Sequence, residues 1–370
     1  ESYDLTVALL DADGELMAQG TYSVPVFMGT APATLNHMLR KYPVGTLRPG
    51  DVIITNDPWL GTGHTFDINV MRPVFREDQI VAYVISITHL PDVGGLGFGA
   101  AAQEIYHEGL RLPICKLFDA GRKTDFIIDL IRTNVRAPEQ VIGDLMANVT
   151  ATKAGEDMLS AFLAEYDLQD FAALSEQIRQ RSEQAARARI RQMNDGNYKN
   201  SIQIEGADGP LTLACSVHKM EDTLSVDFEG TAPSVRQGIN VPFCYTRAMV
   251  LYSIKCLTVP ELPNNGGSVV PVNVTAPDGC LLNAQPPSPT GARHMIGHFV
   301  SPLLFGALAN AVPDQIQADC GMLDLMTFQD VTAMDMMSQQ FILLRGGLVL
   351  LMVAMARRPR RARQTWPWFP

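Results

Sequence analysis

Paired cysteines are the first thing this sequence lacks. Its six cysteines (115, 215, 244, 256, 280 and 320) are scattered singly through 370 residues, with no CxxC and no tight framework. That spacing excludes a disulfide scaffold of the secreted kind and suits reduced thiols in the cytoplasm. Long apolar runs are lacking too: the longest, residues 348–356, is about half of the ~20 residues that span a bilayer. The opening residues, ESYDLTVALLDADG, have neither the basic start nor the unbroken apolar core of a signal peptide. Positive charge is scarce: the net charge is -10, and the one dense basic run is Arg357, Arg358, Arg360, Arg361 and Arg363 at the end. A general nucleic-acid binder is therefore excluded. No G-x-x-x-x-G-K-[ST] is present, and GGLGFG at 94–99 lacks the strand-to-helix register of a phosphate loop, so it reads as a mobile cover. What is present is an ordinary globular composition, 46% hydrophobic and 18% charged, in a chain long enough for two domains. The expectation is a soluble cytoplasmic protein with no membrane or nucleic-acid partner.

Along the chain, LTVALLDADGELMAQ reads as two strands joined by a turn at 11–14. Such a hairpin seldom stands alone, so its pairing partners are either missing or lie far downstream. Residues 31–41 have helical periodicity, and 49–51 turn into a strand at 52–54. Residues 68–75 and 79–88 alternate as β on either side of a polar turn at 76–78. Residues 125–193 are helical and end in a charged, solvated stretch; 201–283 return to β around a helical segment at 245–257; 295–311 form an apolar helix. This order predicts a mixed α/β (α+β) protein with two β-containing lobes joined by a long helical region. The expected domains are a β-rich lobe at 1–124, the helical region at 125–197 and a second α/β lobe at 198–335. The tail at 336–370, with its Leu and Met followed by Arg, Pro and WPWFP, reads as out of frame; the alternative is a genuine membrane or partner segment.

Two short stretches carry chemistry. GHTFD (63–67) and THLPD (88–92) each contain His-x-x-Asp, in a chain with only seven histidines. One precedes the first strand of the predicted hairpin and the other follows its partner, and a hairpin returns to the side where it began. His64, Asp67 and His89 are therefore expected to meet, with Asp92 nearby. Imidazole with carboxylate suits Mn, Fe or Zn in a site with open positions. The competing reading makes the acids loop caps that accept backbone amides. In EIYHEG, Glu104 and Glu108 can supply a general base or merely lie on a surface turn. His294 and His298 are one helical turn apart, but are read as lying outside the site.

The run GDVIITNDPWLGTGHTFDINVMRPVF, followed by ITHLPDVGG and EIYHEGLRLP, resembles the hydantoinase B family, which includes the C-terminal part of ATP-dependent 5-oxoprolinases and the α subunits of acetone carboxylases. The likeness continues in NVRAPEQVIGDLMANVTATKAG, GINVPFCYTRAMVLYSIKCL and PVNVTAPDGCLLNAQPP, and reaches about residue 335. The resemblance implies His64, Asp67 and His89 as ligands of a Mn ion, with Zn or Fe as alternatives. It implies Asp92 as a catalytic or ligand-orienting acid beside them, and Asn56, Asp57 and Arg136 as contacts to substrate. It also implies an A-type partner subunit that binds ATP and activates a carbonyl, after which this chain assists hydrolysis of a cyclic amide bond. The alternatives are the α subunit of an acetone- or acetophenone-type carboxylase, acting on a ketone, and an inactive fragment that only binds the A-type subunit.

Overall fold

The alternating residues of 67–89 form a long hairpin, and the rest of the first lobe is built around it. The computed structural model describes residues 4–316 and, beyond them, the strands Leu323–Gln329, Gln339–Arg345 and Leu348–Val349. Seven strands make the first sheet: β1 (Leu5–Asp11), β2 (Leu16–Gln19), β3 (Val52–Thr55), β4 (Asp67–Arg76), β5 (Gln79–His89), β6 (Cys115–Asp119) and β7 (Arg122–Lys123). Their order is β2-β1-β5-β4-β3-β6-β7, every neighbour antiparallel. The terminal hairpin β1–β2 thus finds its missing partner in β5.

Both faces of this sheet are covered, which is why its central strands are buried at nearly every position rather than at every second one. Successive side chains point to opposite faces. Ile53, Met71, Tyr83, Ile85 and Ile87 face one core, while Val52, Ile54, Ile68 and Val70 face another, packed by helices α2 (Asp125–Asn134) and α3 (Pro138–Glu165). The first core also takes in helix α1 (Ala31–Lys41), which precedes β3, and continues without a break into the second lobe through Val217, Leu224, Val250, Leu282 and Leu304.

After helix α4 (Ala172–Arg191) the second lobe adds a four-stranded sheet, β8 (Gly196–Ile204), β9 (Leu211–Met220), β10 (Thr223–Asp227) and β11 (Val272–Thr275), in the order β11-β10-β9-β8. Helix α5 (Phe243–Thr258), the short α6 (His294–Gly297) and α7 (Val300–Leu308) complete it. The expected mixed α/β architecture is present. Among the described residues no helix is long and apolar enough to cross a membrane. Most of the tail read as out of frame lies outside the described residues; two pieces of it, Gln339–Arg345 and Leu348–Val349, are strands that follow Leu323–Gln329 in one antiparallel ladder.

Candidate metal centre

The hairpin register decides the site. Asp67 and His89 are directly paired residues at the open end of β4–β5. Asp67 shares a face with Met71, and His89 with Ile85 and Ile87, so both project toward the second lobe. His64 reaches the same point from the loop before β4. That loop turns at Gly63, whose φ of +94° is the left-handed conformation that glycine adopts without strain; a Cβ there would lie 2.7 Å from Arg293 Cδ and 2.9 Å from Tyr245 Cβ.

The three side chains offer ligand atoms that all lie within 4.8 Å of one another. His89 Nδ1 is 3.2 Å from Asp67 Oδ1, and His64 Nε2 is 2.9 Å from Asp67 Oδ2. The second contact is close but misaligned, and neither nitrogen of the buried His64 ring makes a hydrogen bond. The hydroxyls of Thr62 and Thr65, also buried in this loop, have no hydrogen-bond partner either. Buried polar atoms left unpaired in this way are costly unless a guest completes them. An imidazole–carboxylate–imidazole set in which the His64 ring has no partner fits a divalent transition ion.

Electrostatics favour the ligand form of His64 and Asp67, and pull His89 the other way. Burial, helped by the positive charge of Arg293, pushes His64 down to about 4, so its ring is neutral at neutral pH. Burial would raise Asp67, but its contacts with His64, His89 and Arg293 hold the carboxyl well below the usual range. Burial lowers His89, yet the hydrogen bond to Asp67 and the nearby Asp4 outweigh it and leave the ring raised.

Aromatic rings close the site. Phe98, from the glycine-rich loop at 94–99, stands edge-on to His89 (5.2 Å between ring centres) and Phe66 (5.2 Å), and stacks on His294 (5.0 Å). The loop read as a cover therefore borders the centre, and His294, read as outside the site, forms part of its wall. Burial and the charge of Arg293 push His294 down to about 3.

The other sequence candidates make contacts outside the His–Asp–His triad. Asp92 does not join the triad: Oδ1 accepts from Gly94 N (2.9 Å) and Arg136 Nη1 (2.9 Å), and Oδ2 from Arg136 N, while Arg136 also donates to Gly95 O. These two residues clamp the root of the Phe98 loop. Asn56 donates to Thr65 O (2.6 Å) and Leu110 O (2.9 Å) and accepts from Leu112 N (2.6 Å), so its amide knits the His64 loop to the backbone beside it. Asp57 accepts from Trp59 N (3.0 Å) and lies 3.7 Å from Arg111 Nε. Glu104, with a side chain 46% exposed, faces His107. Glu108 is buried: it accepts from Gly291 N (2.6 Å), Thr290 N and Thr290 Oγ1 (3.3 Å), and burial outweighs these donors to push it up to about 7.

Two residues escaped the sequence reading. Asp4, half-exposed just before β1, places Oδ2 3.8 Å from His89 Nδ1. Arg293 donates from Nη2 to Asp67 Oδ2 (2.9 Å) and from Nε to Thr62 O (2.7 Å). A signal for Arg293 did exist: it is the single Asp, Glu, Lys or Arg between Asp278 and Asp314. A lone charge in so apolar a stretch is either a surface accident or a buried partner.

A covered hairpin with a His–Asp–His centre at its open end, packed on a second α/β lobe, is the class that fold and site define. The chain belongs to the hydantoinase B/oxoprolinase family, which matches residues 1–348. A protein of Pseudomonas sp. (strain NS671), provisionally named as the B-type component of a D-/L-hydantoinase, is 30% identical over 348 residues, covering 89% of this chain and 59% of its own length. The structure of ATP-dependent caprolactamase from Pseudomonas jessenii superposes with a TM-score of 0.84 at 26% identity, over 92% of this chain and 59% of that one. A nucleotide-free acetone carboxylase shares the fold, with a TM-score of 0.81 at 16% identity over 92% of this chain and 48% of that one. The chain thus spans less than two thirds of each of these relatives.

Proposed function

We propose that this chain is the metal-bearing B-type subunit of an ATP-dependent cyclic-amide hydrolase, working with an ATP-binding A-type partner. The observation that carries this reading is the convergence of His64, Asp67 and His89, with the His64 ring making no hydrogen bond, in a family of hydantoinases and oxoprolinases. His64, Asp67 and His89 would hold the ion, with Asp4 near enough to add a fourth donor; manganese is the proposed metal, with zinc or iron as alternatives. Bound there, a divalent ion supplies Lewis acidity at a carbonyl or phosphoryl oxygen and lowers the pKa of water. The chain's own residues do the rest. Neutral His64 presents a lone pair, and Asp67 orients both imidazoles. Phe66, Phe98 and His294 form an aromatic wall that excludes bulk water and offers flat surfaces to a planar amide ring. Activation of the carbonyl is assigned to the partner, since the chain has no Walker-type phosphate loop.

The test is reconstitution with an A-type subunit, ATP and a series of lactams, hydantoins and 5-oxoproline. Hydrolysis without bicarbonate, coupled to ATP turnover that the chain alone lacks, is the expected result; strict dependence on bicarbonate would assign the chain to the carboxylase branch instead. Removing one of three ligands should cut metal content and turnover together, so His64→Ala and His89→Ala should each lose both. Full activity in a metal-free preparation would end the reading.

A further inference from the structure

Arg293 is 5% exposed, and a buried cation persists only where partners offset its lost hydration. Three do so here: Asp67 Oδ2, Thr62 O and the face of Tyr245, whose ring centre is 3.7 Å from the guanidinium carbon. Its backbone is fixed as well. Glu108 accepts from the amides of Thr290 and Gly291, and Arg293 N donates to Thr290 O (2.8 Å), so the turn that carries the side chain is pinned to the first lobe. Gly63 leaves the space through which the arm passes. The carboxylate that bridges His64 and His89 is therefore shared with a rigid positive charge from the other lobe.

We propose that Arg293 is a positioning residue that sets the charge of the metal centre. With an ion bound and both imidazoles neutral, His64, Asp67 and His89 contribute a single negative charge, which the Arg293 guanidinium offsets, leaving Asp4 at the half-exposed edge. A divalent ion held against so reduced a charge is bound less tightly, but keeps more of its own charge for polarising a substrate oxygen. Arg293 also fixes which lone pair of Asp67 is left for the ion. This inference rests on the metal reading of His64, Asp67 and His89.

Calorimetric titration of the full-length chain with Mn²⁺ alone tests it, with Arg293→Gln and Arg293→Lys beside the wild type. Glutamine removes the charge and retains a donor; losing one unit of repulsion a few ångströms from the ion should tighten Mn²⁺ binding roughly tenfold. Lysine keeps the charge and should stay within about threefold of the wild type, the loss of one charge-assisted hydrogen bond being partly made up by the ammonium. In the reconstituted complex the glutamine variant should lose turnover while holding its metal more tightly. A glutamine variant that folds and binds Mn²⁺ no more tightly than the wild type overturns the proposal, because a merely structural Arg293 would weaken binding in step with the melting temperature. If the glutamine variant does not fold, the lysine variant decides: affinity within the stated range upholds the proposal, and a tenfold change in either direction overturns it. A wild type that takes up no divalent ion at all sinks the metal reading itself, whereas uptake with no response at Arg293 sinks only this inference.

Discussion

Glu108 shows how much a single buried carboxyl can do for the backbone around it. Its Oε1 accepts two backbone amides and its Oε2 the Thr290 hydroxyl, so a glutamine could replace it almost atom for atom. With the folded group pushed up to about 7 from an ordinary 4.5, the folded state holds the proton more firmly than the unfolded one. Its contribution is therefore fully present below about pH 4.5 and is lost as pH rises through about 7. Glu108→Gln should be more stable than wild type at pH 8, by about 2–3 kcal/mol, and should lack the wild-type decline between pH 5 and 7. Urea unfolding at four pH values measures this. Parallel curves for the two proteins would show that Glu108 is ionised throughout.

At the scale of elements, the glycines divide into those that are packed and those that are free to be replaced in space. Gly94 has φ +80° and a Cβ position 2.3 Å from Asn134 O, and Gly63 is blocked by Arg293; Gly97, at φ +82°, has nothing within 4 Å. Alanine at Gly63 or Gly94 should cost about 2–4 kcal/mol, from backbone strain plus collision, and at Gly97 about 1 kcal/mol, from strain alone. Thermal melts of the three variants give the ranking, and on the proposed metal reading Gly63→Ala should also bind Mn²⁺ more weakly than the wild type. Equal losses at Gly94 and Gly97 would show the loop's root to be as loose as its tip.

The same scale explains what the sequence revealed. Residues 31–41 were legible as a helix from their periodicity, and β4 and β5 from alternation around a polar turn. Because Asp67 and His89 are strand residues, the pleat fixes where their side chains point, and a hairpin argument suffices to bring them together. Asp92 carries the same motif but lies three positions beyond the end of β5, past Pro91, where no pleat governs direction; it turned to Arg136 instead. Asp4 and Arg293 were missed for a different reason: the lone charge of Arg293 could mark it out, but the partners of both are set by long-range packing of β1 and of the second lobe, which local pattern does not encode.

For the whole molecule, the continuous core implies one cooperative unit. The lobes share an apolar cluster and are riveted by Trp59 to Ala284 O (2.7 Å), Glu108 to Thr290 and Gly291, and Arg293 to Asp67. Unfolding followed by tryptophan fluorescence, with Trp366 and Trp368 replaced by Phe so that Trp59 reports, and by far-ultraviolet circular dichroism should give coincident transitions. Two separated transitions would make the lobes independent domains.

The distance along the chain between Asp67 and Arg293 has a consequence in time. They are 226 residues apart, about 10–45 s of ribosomal synthesis at 5–20 residues per second. His64, Asp67 and His89 leave the ribosome close together, early, and pair through a local hairpin. For that interval the nascent site carries its full negative charge and no cover from the second lobe. If the proposed metal reading holds, a cation present then meets an unneutralised binding set, and one arriving later meets the same set with Arg293 against it. The order in which the chain is made favours loading first and closing afterwards.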